Sequence, residues 1–397
     1  MVAFRYIVEL VVLLRIYGGV AVNARQIVWA HQATYASVMD DPFVRQTGEH
    51  GLDLLYNMHL AEADAAFNRI ETRYPEHPIG PFLHSLIIWW QILPDLQDES
   101  HDKDFYAAMK EVIKRSNGLL KKDKNDFDAM FFKGAALGFR GRLRSNRGKW
   151  FKAAKDGKEA LDYIFRISAH DTTNADYQFG QGVYDYFAEM TPKKYPVAKP
   201  VMLFFPKGNR ERGLRELERT ATEGHFIRTE ATYFLLQIFL LYEPDYAKSL
   251  MYVRRLRAWY PDNPFFHALE GRVYARWGRW EESTPVYAMF LERYYAGEVG
   301  YSASLAEQAL YYLGRGEMAG RRYETAARYF LQLDSLSALG KDDTYFRVLG
   351  TLRLGMTEDA LGRRPAAVDH YRAVLKMKDF AGAHELARRY RKTPYRG

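Results

Sequence analysis

The chain has 397 residues, with 57 Lys and Arg against 49 Asp and Glu, 48% apolar residues and 15% aromatic ones. So much apolar material excludes a largely disordered chain, and the absence of cysteine excludes disulfides, thiolate metal sites and cysteine nucleophiles together. The net charge of +8 is small for this length and reads as a solvated, mildly basic surface that favours acidic partners.

At the N-terminus, Arg5 precedes an apolar run from Tyr6 to Val22 that is broken by Glu9 and Arg15. Val22, Asn23 and Ala24 have the small-residue spacing of a signal-peptidase site. Residues 1–24 are therefore read as an export signal, which places the protein in the periplasm or at the outer membrane ahead of the cytoplasm. An amphipathic first helix and a start codon set too far upstream are the alternatives. The run is too short and too charged to span a hydrocarbon layer of about 30 Å.

From Asp41 onward the chain repeats itself. Four segments carry a glycine, a small residue twelve positions later and an aromatic residue four positions after that: Gly51, Ala63 and Phe67; Gly271, Ser283 and Tyr287; Gly314, Ala326 and Phe330; Gly355, Ala367 and Tyr371. Glycine and the small residue let two helices approach closely, and the ring fills the gap between stacked pairs. Each pair is expected to be supported by its neighbours alone.

Weaker copies lie between. A unit from Phe127 has Gly134 and reaches Trp150 and Ala153 after a basic insertion, 140–149. Another, from Ala175, passes Gly180 and Gly182 and is interrupted over 190–208 by Pro192, Pro196, Pro200 and Pro206, with Tyr195, Phe204 and Phe205 among them. Those prolines predict a break in the helix, and the loop is expected either to dock on a partner or to plug a gap between units. A third copy, Glu230 to Asn263, keeps Tyr246 and Ser249 but has Gln237 in the glycine position. The pattern predicts N-terminal units over 41–229 and C-terminal units over 230–397. The last glycines are 43 and 41 residues apart, so the connections there are long.

These residues resemble the tetratricopeptide repeat, a unit of about 34 residues with small residues at its eighth and twentieth positions; the chain is similar to a divergent member of bacterial type. The copy from Pro264 to Glu298 carries the likeness best, through Gly271, Tyr274, Gly278, Trp280, Ser283 and Tyr287, and Tyr260 and Pro261 close the unit before it. The resemblance implies an all-α solenoid of stacked antiparallel helix pairs and a non-catalytic scaffold that binds another protein or an extended acidic peptide along a concave face. In that register the inward positions of the first helices are Tyr242, Arg272, Arg276, Tyr311 and Arg315, residue types that interfaces favour.

No catalytic motif stands beside this. The chain lacks a phosphate-binding Gly-x-x-x-x-Gly-Lys-Ser/Thr, a Gly-x-Ser-x-Gly and a His-Glu-x-x-His, and His170, His370 and His384 are isolated; no enzyme activity, cofactor or metal is expected. The strongest charge feature is Arg140, Arg142, Arg144, Arg147, Lys149 and Lys152, continued by Lys155 and Lys158 and interleaved with Phe139, Trp150 and Phe151. It offers an alternative function, binding of nucleic acid or anionic lipid, against a plainer reading as a solvated helical segment. Arg388, Arg389, Arg391, Lys392 and Arg396 read as the charged cap that ends an array.

Overall fold

A computed structural model describes residues 37–196, 199–203, 205–340 and 343–397, with the side chains of Pro200 and Val201 left aside. The segment 1–24, Phe204 and residues 341–342 of the last long connection lie outside the described residues. Seventeen α-helices of ten residues or more form the described structure, with no strand among the described residues. No described helix is long and apolar enough to cross a membrane. The fold is all-α, made of tetratricopeptide-like antiparallel helix pairs, and it divides into two compact units, one ending at Tyr242 and one running from Glu243 to Gly397.

The first unit contains α1 (Pro42–Tyr56), α2 (Leu60–Arg73), α3 (Ile79–Ile92), α4 (Asp102–Lys122), α5 (Phe127–Asn146), α6 (Trp150–His170), α7 (Ala175–Lys194), α8 (Arg210–Glu223) and α9 (Arg228–Gln237), then a π-helical turn, Ile238–Tyr242. The second contains α10 (Tyr246–Trp259), α11 (Pro264–Trp277), α12 (Trp280–Tyr295), α13 (Ala303–Ala319), α14 (Tyr323–Ser337), α15 (Tyr345–Ala360), α16 (Arg364–Val374) and α17 (Ala383–Lys392).

Local chemistry marks the two helices of a pair differently. Six first helices start on a side-chain cap: Asp41, Asp126, Asn174, Asn263, Ser302 and Thr344 accept the backbone N–H two or three residues on, at the starts of α1, α5, α7, α11, α13 and α15, whereas α3 and α9 lack one and the second helices α8 and α10 have one. Second helices α2, α6, α12, α14 and α16 have no such cap. Each instead follows a left-handed residue, Met58, Gly148, Gly278, Arg321 or Gly362. The next N–H then reaches back five residues, from His59 to Leu54, Lys149 to Arg144, Arg279 to Tyr274, Arg322 to Glu317 and Arg363 to Glu358, at 2.8–2.9 Å. This is the closure a helix makes when its C-terminal residue turns left-handed.

Five identical turns put five pairs in one register. Seven residues before each left-handed residue stands Gly51, Gly141, Gly271, Gly314 or Gly355, and five after it stands Ala63, Ala153, Ser283, Ala326 or Ala367. In four pairs a ring lies on the glycine: a Cβ there would fall 2.5–2.7 Å from Phe67, Tyr287, Phe330 or Tyr371. Those rings and the four small residues opposite are 0–1% exposed, and full burial of such a ring stabilises by about 1.5–3 kcal/mol.

The register corrects two expectations. The segment 140–149 is not an insertion: Gly141 and Ala153 keep the twelve-residue spacing, and the extra residues of this pair sit at the start of α5, where Gly134 lies. The break at the proline-rich loop comes later than the prolines suggest, because α7 runs through Pro192 to Lys194. A proline there forgoes one backbone bond in the last turn of the helix. Beyond it, the Tyr184 hydroxyl donates to the Pro206 carbonyl at 2.7 Å, and Glu189 accepts the Arg210 N–H at 2.7 Å, starting α8.

A third departure concerns support by neighbours alone, which describes the second unit, where α11, α13 and α15 succeed one another. In the first unit α1 also meets the approach to α9. The Tyr56 hydroxyl donates to Glu230 at 2.5 Å, Glu49 pairs with His225 at 2.6 Å, Asp53 pairs with Arg228 at 3.1 Å, and Phe226 lies on Gly48. Asp176 accepts the backbone N–H groups of His225, Phe226 and Ile227 at 3.1–3.3 Å and fixes that turn.

Gly314→Val places two methyl groups on the Phe330 ring and is expected to lower unfolding free energy by about 1–3 kcal/mol. Gly118→Ala, inside α4 one turn before its end, with no atom beyond its own local helix backbone and chain neighbours within 4 Å of the new methyl, is expected to raise it by about 0.5–1 kcal/mol. Equilibrium urea unfolding of the two variants measures both.

Candidate functional site

Two surfaces gather the residues singled out in the sequence. In the second unit α11 touches α13 and α13 touches α15, which brings Arg272, Arg276, Tyr311 and Arg315 together. The Arg315 guanidinium stands 5.3 Å above the Trp280 ring and 5.9 Å from that of Tyr311. Tyr311 is buried, with its ring 5.3 Å from Tyr312 and 5.5 Å from Phe346. Tyr311 therefore backs the surface, while the arginines form it.

Arg276 is exposed and Arg272 and Arg315 are half-buried. None of the three has a carboxylate partner among the described residues, and Arg272 Nε is buried with no acceptor within the protein. Their field is felt nearby. Desolvation lifts the Tyr312 hydroxyl above its ordinary range while Arg272, Arg315 and Arg276 pull it down. Desolvation likewise pushes Tyr345 up to about 12, against Arg276 and Arg315. Tyr312 and Tyr345 thus belong to this surface; the adjacency of Tyr312 to Tyr311, and of Tyr345 to the Thr344 cap, was the available sequence signal.

Tyr242 belongs to the first unit. It ends the π-helical turn of the first unit, where its ring lies 5.0 Å from Phe187 and 6.4 Å from Tyr186, under the Lys194 ammonium at 4.6 Å. Tyr195 and Met202 of the proline-rich loop are partly buried, like Tyr242, so the described part of that loop packs against the unit.

The basic segment is largely engaged with the protein itself. Arg140 Nε and Nη2 and Arg144 Nη1 all donate to Asp156, at 3.0, 2.7 and 2.5 Å, and that carboxylate is only 2% exposed. Arg147 donates to both oxygens of Asp102, at 2.8 and 2.7 Å, and to the Leu96 and Asp98 carbonyls. Arg142 lies 5.0 Å over the Trp89 ring. Phe139 packs between Phe82 and Trp89, leaving Phe151 as the one largely exposed ring of the three. What remains open is a cavity of about 290 Å³ lined by Tyr106, Lys110, Arg140, Arg144, Lys149 and Lys152. Tyr106 and Lys110 share one face of α4 at i, i+4 spacing, far from the segment in sequence.

Among the described residues Glu230 and His267 are strongly shifted and lie in the packing of the units. Burial raises Glu230 to about 7, with the Tyr56 hydrogen bond opposing, and burial lowers His267 to about 3, helped by Arg257 and Arg293. His170 stacks on Phe127 with ring centroids 3.4 Å apart, His370 is depressed by burial, and His384 Nε2 lies 2.9 Å from the Met377 carbonyl. No group of three or more metal-ligating side chains converges among the described residues. At the C-terminus, Arg364 donates to the Tyr390 and Arg391 carbonyls, tying α17 to α16.

Capped first helices, left-handed intra-pair turns and stacked pairs together define a tetratricopeptide-like helical repeat protein. No family model and no curated protein matches the chain. Among solved structures it is similar to the crystal structure of the P58(IPK) TPR domain, at 15% identity over 84% of this chain and 83% of that one, with a TM-score of 0.23.

Glu230 gives a pH test of the closure of the first unit. Its folded value, about 7, is above the ordinary 4.5, so the folded state holds the extra proton between those values and stability falls as pH rises from about 4.5 to about 7. Glu230→Gln keeps an acceptor for Tyr56 and removes the charge. It is expected to stabilise by up to about 3 kcal/mol at pH 8 and by almost nothing below pH 4.5, measured by chemical unfolding at the two pH values.

Proposed function

We propose that the protein is a non-catalytic scaffold that binds another protein, engaging an extended acidic segment along the first-helix face of its C-terminal unit. The observation that carries this reading is the set of guanidiniums Arg272, Arg276 and Arg315, which have no carboxylate partner among the described residues and stand beside Tyr312, Tyr345 and Trp280.

Many other arginines of the same unit are spoken for. Arg257 pairs with Glu270, Arg279 with Glu282, Arg293 with Asp262, Arg322 with Glu317, Arg347 with Asp334 and Arg364 with Asp359. Three arginines left open on adjacent first helices, over a floor of packed rings, form a positive strip with rigid apolar backing. Such a strip suits a partner that brings carboxylates and a few apolar side chains. Arginine forks bind carboxylates bidentately, and tyrosine and tryptophan supply contact area at small entropic cost. The coarse function, protein binding, is what helical-pair arrays commonly provide; the choice of face and of an acidic ligand rests on these side chains.

Arg276→Glu/Arg315→Glu reverses the charge at two solvent-reaching positions and spares the core. A labelled glutamate-rich peptide is expected to bind the wild-type chain by fluorescence anisotropy and to lose at least about tenfold in affinity on the double variant, with thermal unfolding unchanged. Equal binding by the two proteins contradicts the reading.

A further inference from the structure

We propose that the cavity between α4, α5 and the start of α6 binds a compact phosphoryl group, carried by a small soluble phosphate ester or by a lipid headgroup. The inference is independent of the protein-binding reading, because it concerns the other compact unit, other side chains and another ligand.

Charge is the first argument. Lys110, Arg140, Arg144, Lys149 and Lys152 line the cavity, and the carboxylate bonded to this group, Asp156, already accepts from both arginines. Lys110, Lys149 and Lys152 have no ion-pair partner among the described residues, Asp102, whose charge reaches Tyr106, is held by Arg147, and Glu111, next to Lys110, pairs with Lys114 and Arg115. Five cations against one buried carboxylate leave a strong local excess of positive charge. A dianion would neutralise it.

Preorganisation is the second. Asp156 is 2% exposed and anchors both guanidiniums, each of which keeps further N–H groups to donate to phosphate oxygens. The lysines add mobile point charges at the rim. The 21-residue α6 begins at this cavity without a side-chain cap, so its free N–H groups and the positive end of its dipole add to the same field.

An unsatisfied donor is the third. The Tyr106 hydroxyl is buried and makes no hydrogen bond within the protein, while its ring lies 5.5 Å from the Lys149 ammonium and 6.0 Å from the Arg144 guanidinium. An unpaired buried hydroxyl costs about 1–3 kcal/mol, which a small turn of the Tyr106 ring toward a phosphate oxygen in the cavity relieves.

The repeat itself shows that this pair departs from the others. Where four pairs lay a ring on the register glycine, α6 carries Gly157, and the nearest atom to a Cβ on Gly141 is the Asp156 Cβ at 3.4 Å. A polar cluster stands where the other pairs have an apolar ring. The volume, about 290 Å³, holds a phosphoryl group with a small organic residue. Among the described residues of the basic segment Phe151 is the one largely exposed ring, too few for the row of stacking platforms that single-stranded nucleic acid requires.

The test is calorimetric titration of the full chain with pyrophosphate and with inorganic phosphate at constant ionic strength, joined by co-sedimentation with phosphatidylcholine vesicles with and without phosphatidic acid. The expected result is one saturable pyrophosphate site per chain. Lys149→Glu/Lys152→Glu, at two exposed positions, should weaken it at least about tenfold and Tyr106→Phe about threefold, while Arg388→Glu/Arg391→Glu on α17 leaves it unchanged. Vesicle binding that needs phosphatidic acid and is displaced by pyrophosphate identifies a headgroup as the source; pyrophosphate binding without vesicle binding identifies a soluble ester. The proposal is overturned if neither phosphate nor pyrophosphate saturates the wild-type chain, if the lysine variant binds as tightly as wild type, or if single-stranded RNA binds and pyrophosphate does not displace it.

Discussion

An aromatic ring laid on a glycine holds each regular pair together, and most of the array follows from it. Gly271, Gly314 and Gly355 lie under Tyr287, Phe330 and Tyr371 in the second unit, and Gly51 lies under Phe67 in the first. The ring can be fully buried only because the facing helix has no side chain there, and the helices can come that close only because Ala63, Ser283, Ala326 or Ala367 faces the contact. Where the ring is tyrosine its hydroxyl is also satisfied: Tyr287 donates to the Ala268 carbonyl at 3.1 Å and Tyr371 to Asp359 at 2.8 Å. The left-handed turn fixes the distance along the chain between glycine and ring, so turn chemistry and packing specify the same register.

The pair α5–α6 keeps the turn and the glycine but has lost the ring, and polar chemistry takes its place. Asp156, Arg140 and Arg144 form a buried ion network, and a buried carboxylate is tolerated there only because two guanidiniums satisfy it. The first unit is held by further polar contacts of this kind. Asp128 accepts from Ser37 Oγ and Val38 N–H at 2.7 Å and from the Tyr177 hydroxyl at 3.0 Å, and Tyr56 and Glu230 join helices 174 residues apart. The second unit relies on apolar stacking and leaves Arg272, Arg276 and Arg315 on adjacent first helices without a carboxylate partner among the described residues. The two units thus offer different chemistry to ligands.

Period and composition carried the fold. The glycine, small-residue and ring spacing named four of the pairs, because three residue types at fixed offsets are what the packing demands. It misplaced the fifth, taking Gly134 for Gly141, because Gly157 removes the ring by which the pattern is recognised. Side-chain partners were less legible. Arg140, Arg144 and Arg147 read as a continuous basic strip, since nothing local tells that Asp156 and Asp102 lie beneath them, and Tyr106 and Lys110 meet Lys149 only through tertiary packing. Helical spacing alone places Arg272 and Arg276 on α11 and Arg315 on α13. Tyr242, read into the same ladder from the register, packs on Phe187 in the first unit.

A double-mutant cycle at Gly314 and Phe330 tests the ring-on-glycine account most directly. With Phe330 present, Gly314→Ala drives a methyl into the ring and lowers unfolding free energy. In the Phe330→Ala background the obstacle is gone, and Gly314→Ala is expected to be neutral or to stabilise by up to about 1 kcal/mol through helix propensity, giving a coupling energy above about 1 kcal/mol. Additive costs, with Gly314→Ala equally damaging in both backgrounds, would contradict the account.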